Sequence, residues 1–109
     1  GQDVLKGGAG MDIFVYTKTS DSTPEFFDKI IDFETGVDKI NLSFFNQAAG
    51  KTGFIHFVEE LTGVAGQVVL SYDAESNTSD IVLNVNNDTV PDLKIQLVGQ
   101  VDAVSDFIL

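Results

Sequence analysis

The chain has 109 residues, a formal charge of −11 and no cysteine. That length sets one domain with a modest core, and the missing cysteines exclude a disulfide framework. The charge argues against nucleic acid and anionic membrane surfaces as partners and favours cations, because close-set carboxylates destabilise a compact state unless something neutralises them.

The amino end carries the most specific pattern. Gly7-Gly8-Ala9-Gly10-Met11-Asp12-Ile13-Phe14-Val15 fits the nine-residue pattern G-G-x-G-x-D-x-U-x, in which U is a large apolar residue. Residues 1–6 read as the last six positions of the preceding repeat, so the chain is expected to open inside a repeat array. The glycines permit tight turns that point carbonyls inward. Calcium takes about six to eight oxygen ligands from carboxylates and carbonyls. Gly8 and Gly10 are the candidate carbonyl donors and Asp12 the candidate carboxylate. Phe14 is expected to point into a core. Two repeats, about eighteen residues, make one coil of a parallel β-roll.

The polar, proline-containing stretch from Thr17 to Phe26 reads as a loop. Asp28 to Phe33 reads as a strand with Ile31 and Phe33 on one face. Glu34-Thr35-Gly36-Val37 reads as a hairpin turn, and Asp38 to Leu42 as the returning strand. Ser43 to Ala49 is expected to form a short helix capped by Ser43. Phe54 to Leu61 is ambiguous between helix and strand; its length and aromatics favour a short strand. Three runs then alternate: Val68, Leu70 and Tyr72; Ile81, Leu83 and Val85; Leu93, Ile95 and Leu97. Runs like these make half-buried antiparallel strands. The expectation is an all-β fold, the end of a parallel β-roll (1–18) capped by an antiparallel β-sandwich or jelly roll (19–105). A solenoid exposes its core at the last coil unless something covers it.

The eighteen-residue step carries Asp3 to Asp21, and Asp12 to Ile30, which offers no ligand. The expected better-formed site therefore uses the Gly1 carbonyl, Asp3, Asp21 and Asp28, and the Gly8–Asp12 turn looks to a partner upstream. The competing reading is that Asp21 only caps a turn. The run from Asn84 to Asp88 spaces oxygens as a calcium loop does but lacks the glycine and terminal acid of one, and reads as a plain turn. Catalytic readings fail on ligand count. His56 is the single histidine, whereas a catalytic zinc needs about three protein ligands. No serine lies in G-x-S-x-G. No apolar run approaches the roughly 18 residues that span a bilayer, and no basic-then-apolar leader is present.

The repeat, together with Ser20-Asp21-Ser22-Thr23-Pro24, Ile31-Asp32-Phe33, Asp38-Lys39-Ile40-Asn41-Leu42-Ser43-Phe44-Phe45, Ala65-Gly66, Leu70-Ser71-Tyr72 and the ending Asp106-Phe107-Ile108-Leu109, resembles the carboxyl-terminal domain of serralysins, secreted bacterial zinc metalloproteases with glycine-rich calcium repeats. The resemblance covers essentially the whole chain. It implies a non-catalytic, calcium-binding domain behind an N-terminal protease domain that alone would hold zinc through H-E-x-x-H. It implies secretion to the extracellular space by the type I machinery, with residues 106–109 as the end of an uncleaved signal. The alternatives are the same module on another exported enzyme, such as a lipase or an alginate epimerase, or a calcium-stabilised carbohydrate-binding or adhesive β-sandwich.

Overall fold

The computed structural model describes residues 4–50, 54–103 and 105–109. The candidate ligands Gly1 and Asp3 lie outside the described residues. The strands are β1 (Val4–Leu5), β2 (Ile13–Val15), β3 (Asp28–Ile30), β4 (Lys39–Asn41), β5 (His56–Val58), β6 (Gln67–Asp73), β7 (Thr78–Asn84), β8 (Leu93–Val98) and β9 (Phe107–Ile108), with one helix, α1 (Ser43–Ala49). They form two sheets, one ordered β1-β3-β8-β7-β6-β5 and the other β2-β4-β9.

The chain winds as a roll for three coils. β1, β3 and β8 pair in parallel in the first sheet, and β2, β4 and β9 in parallel in the second. Each coil places one strand in the first sheet, turns, and places the next in the second. Between β4 and β8 the chain leaves this path through α1, β5, β6 and β7. The latter two extend the first sheet by antiparallel pairing, β6 on β7 and β7 on β8, and β5 then adds in parallel to β6. The fold is thus mostly β, with one mixed and one parallel sheet, and among the described residues antiparallel pairing is confined to β6-β7-β8 instead of making a separate sandwich.

Two expectations are corrected by this winding. Residues 28–42 do not form a hairpin. The Glu34–Val37 turn is present, with Val37 N–H donating to the Glu34 carbonyl at 3.1 Å, but it carries the chain from one sheet to the other. β3 has β1 and β8 on its two edges, so no edge remains for β4. The strand also stops at Ile30: Ile30 and Phe33 are buried, whereas Ile31 is 42% exposed. Second, the stacking step is not eighteen. Val4 faces Lys29 and Ile13 faces Lys39, because the loop between β2 and β3, which includes a short 3₁₀ turn at Thr19–Asp21, lengthens the coil. The paired strands thus step by 25 and 26 residues.

The alternating runs behave as their pattern requires. Val68, Ile81, Leu83, Leu93, Ile95 and Leu97 are fully buried and join Ile30, Ile40 and Leu42 in one cluster drawn from both sheets. Each such side chain contributes about 1.5–3 kcal/mol on burial. Phe14 packs against this cluster from β2, as expected, and its ring lies 6.3 Å from that of Phe33. Phe54–Leu61 resolves as the short strand β5. α1 is held at its start by Asn41 instead of Ser43: the Asn41 Oδ1 accepts both the N–H and the hydroxyl of Ser43, at 2.9 and 2.6 Å.

Candidate metal site at the glycine turn

The turn between β1 and β2 is built by its glycines. Gly8 and Gly10 have φ of +84° and +85°, the left-handed region that a side chain resists. Gly7 serves by close approach. A Cβ there would lie 2.4 Å from Asp12 Oδ2, so the Asp12 carboxylate sits directly against the Gly7 backbone. That Oδ2 is shielded from solvent and has no hydrogen-bond partner. A shielded carboxylate oxygen without a partner is costly, and a cation is the partner its chemistry asks for. The residues present at this turn therefore fit calcium: one orphaned carboxylate oxygen, with carbonyl-bearing glycines at Gly8 and Gly10.

The opposite side of the turn is closed by two residues that the repeat arithmetic did not single out. The Asp32 carboxylate accepts the N–H groups of Gly7 and Gly8, each at 2.9 Å. These two N–H groups hold the Asp32 carboxyl below the ordinary range. Asp38 is buried, and its oxygens accept the Asp12 N–H and the Glu34 N–H, each at 2.9 Å. Asp32 and Asp38 thus close the turn on the side of the second coil, while β1 and β2 are both edge strands.

Asp21 and Asp28 line one open cleft, together with Leu5, Phe14 and Tyr16. They serve different partners. Asp21 folds back on its own loop, its Oδ2 accepting the Thr17 N–H at 3.0 Å, the Thr17 hydroxyl and the Lys18 N–H. Burial raises its pKa, but these bonds outweigh burial and leave it lowered. It does close a turn, at Thr17-Lys18. Asp28 is buried and accepts the Tyr16 hydroxyl at 3.1 Å, while its N–H donates to the buried Ser22 hydroxyl at 2.8 Å. That hydroxyl donates in turn to the Lys94 carbonyl, and the Ser22 carbonyl accepts the Lys94 N–H at 3.0 Å. Ser22 therefore ties the loop to the start of β8.

The carboxyl-terminal residues are structural parts of the last coil. Asp106 is fully buried. Its Oδ1 accepts the Gly36 N–H at 2.7 Å, and its Oδ2 accepts the Thr35 hydroxyl at 2.6 Å and the Asp102 N–H at 2.7 Å. Burial raises its pKa, but these donors outweigh it and leave the carboxyl below its ordinary value. Phe107 pairs with Ile40, Ile108 with Asn41, and the Phe107 ring meets that of Phe57 edge-on at 5.0 Å. Leu109 is 46% exposed. His56 lies on β5 with Nδ1 3.0 Å from the Phe54 carbonyl. The Asn84–Asp88 loop closes on itself, with Asn86 N–H donating to Asn84 Oδ1 and Asn84 Nδ2 donating to the Asp88 carbonyl.

Comparison with known proteins places this arrangement. A family model described as Peptidase M10 serralysin C terminal matches residues 1–109. Serralysin C of Dickeya chrysanthemi is 43% identical over 96 residues, covering 88% of this chain and 19% of that protein. Metallopeptidase AprA of Pseudomonas marginalis is 44% identical over 95 residues, covering 87% of this chain and 19% of that protein. The chain thus spans about one fifth of the length of these curated relatives. Among solved structures, the AlgE6R2 subunit of the Azotobacter vinelandii mannuronan C5-epimerase superposes with a TM-score of 0.63 at 24% identity, covering 91% of this chain and 58% of that one. That likeness is one of fold.

Proposed function

Because the chain belongs to the serralysin C-terminal family, we propose that it is the calcium-binding carboxyl-terminal domain of a secreted, serralysin-like zinc metalloprotease, and that it supports folding after export and type I export itself. The observation that carries the calcium reading is the shielded, unpartnered Oδ2 of Asp12 seated against Gly7. The Asp12 carboxylate and the Gly8 and Gly10 carbonyls would hold the ion, with further ligands from a coil stacked on β1 and β2. Gly1, Asp3, Asp21 and Asp28 stay among the proposed ligands of a second ion; Asp21 and Asp28 line one cleft, which supports that reading. Zinc and peptide hydrolysis would belong to the protease domain of the parent chain, and residues 106–109 would end the export signal, offered to the exporter before β9 pairs.

Metal that binds only the folded state adds its binding free energy to stability, about 2.7 kcal/mol when calcium stands at 100 times its dissociation constant. Extracellular calcium modules bind at about 10⁻⁴ to 10⁻³ M. A cytosol poor in calcium would keep the repeat region loose enough to thread through an exporter, and calcium outside would fold it. The test is thermal unfolding of the parent protein, with and without calcium. Calcium in the millimolar range should raise the midpoint of this domain and magnesium should not. A midpoint indifferent to calcium, or equally raised by magnesium, would refute the reading.

A further inference from the structure

The three coils end in turns made of similar parts, but the parts are satisfied differently. At the first turn one Asp12 oxygen has no partner. At the second, both oxygens of buried Asp38 are taken, by Asp12 N–H and Glu34 N–H. At the third, both oxygens of buried Asp106 are taken, by Gly36 N–H and by Thr35 Oγ1 and Asp102 N–H. Asp32 accepts Gly7 N–H and Gly8 N–H. Each of these three carboxylates reaches back one coil: Asp32 and Asp38 from the second to the first, Asp106 from the third to the second. Each therefore bridges successive turns, as a cation between glycine turns would.

The same geometry makes these turns poor cation sites. The positive ends of the N–H dipoles converge on the carboxylates, as in the backbone concavities that bind anions. Each oxygen of Asp32 and Asp38 accepts one N–H, and Asp106 Oδ2 accepts a hydroxyl and an N–H, so a metal there would have to displace donors already in place.

We propose that the second and third turns close without metal, with Asp32, Asp38 and Asp106 standing where cations would stand between glycine turns. Once the exported chain has folded, its carboxyl-terminal part is then an end-stop that keeps its structure when calcium is withdrawn, and the calcium-dependent coils take their register from it. The second half of this statement rests on the calcium reading above; the first half does not.

Amide hydrogen exchange on the full parent protein, in calcium and in EGTA, tests it. The Gly36, Ile40, Leu42 and Asp102 amides should exchange within about tenfold of the same rate in both, while amides of the repeats upstream of Val4 accelerate by about a hundredfold or more. Loss of Gly36 and Asp102 protection in step with the repeats would overturn the proposal. Asp106→Asn keeps the shape but turns an amide NH₂ toward N–H donors. Protection of Gly36 and Asp102 should fall in EGTA by at least about tenfold, and calcium should not restore it; restoration by calcium would overturn the proposal. Should Asp106→Asn fail to fold, Thr35→Val removes one donor and should lower the same two protections severalfold, again with no rescue by calcium. A protein that binds no calcium yet keeps Gly36 and Asp102 protected in EGTA would defeat the calcium reading and leave the end-stop standing.

Discussion

Substituting Gly7 by alanine probes the seat of the Asp12 carboxylate directly. The new Cβ would lie 2.4 Å from Asp12 Oδ2, 2.6 Å from its Cγ and 2.9 Å from its Cβ. Rotation of the Asp12 side chain relieves the first two contacts. The third is fixed by the backbone, which Asp32 anchors through the Gly7 and Gly8 N–H groups. Overpacking of this kind costs about 1–3 kcal/mol. In Asp12→Ala the Oδ2 and Cγ are gone, so most of the clash goes with them. A double-mutant cycle of Gly7→Ala and Asp12→Ala, read by urea unfolding in EGTA, should give a coupling of about 1–2 kcal/mol. Gly8→Ala is the control. Its Cβ meets nothing within 4 Å but stands at φ +84°, so it should cost about 1–2 kcal/mol of backbone strain and add to Asp12→Ala without coupling. Asp12→Ala alone should change sign with metal. In EGTA it removes a shielded acceptor whose missing partner costs about 1–3 kcal/mol, and so should be neutral or stabilising; in calcium it should destabilise. Additivity of Gly7→Ala with Asp12→Ala within about 0.5 kcal/mol would show that the carboxylate is not seated on Gly7.

Two further outcomes follow from the last coil and its acids. Asp21, Asp32 and Asp106 are all lowered in the folded chain, so below the ordinary carboxylate range of about 4 the unfolded chain binds more protons than the folded one. Metal-free stability should therefore be flat from about pH 7 to 5 and fall as pH drops below about 4, and Asp106→Asn should flatten that fall; a pH titration of urea unfolding in EGTA measures both. Phe107→Ala should cost about 3–5 kcal/mol, since the ring is buried against Phe57, whereas exposed Leu109→Ala should stay within about 0.5 kcal/mol. Leu109→Ala therefore tests the export role without disturbing the fold: secretion should drop at unchanged melting temperature, and undiminished secretion would remove the terminal residue from the signal.

Much of the fold was readable where side-chain alternation alone decides it. Val68, Ile81, Leu83, Leu93, Ile95 and Leu97 lie on buried faces because period-two patterning settles which side of a strand is apolar. Pairing was not readable in the same way. The runs around Ile30 and Ile40 look like a hairpin because a turn separates them, yet nothing in either run says that both edges of β3 are taken by strands distant in sequence. The repeat period was legible at Gly7–Asp12, and the glycine turn stands as the pattern requires. Extending that period across Thr17–Phe27 failed because a loop lengthens the coil without leaving a periodic trace. Asp32 and Asp38 were visible as residues but not as acceptors: their role depends on which N–H groups the longer coil brings to them. Asp106 could be read as one acid near a terminus, and only parallel pairing of β9 on β4 places it beneath the Glu34–Val37 turn.

Counting bound calcium on the intact parent protein and on its Asp12→Ala variant tests the central claim most directly. Native mass spectrometry at saturating calcium should show one ion fewer in the variant, with the carboxyl-terminal fold intact by hydrogen exchange at Gly36 and Asp102. An equal count in the two proteins would contradict the assignment of calcium to the Gly7–Asp12 turn.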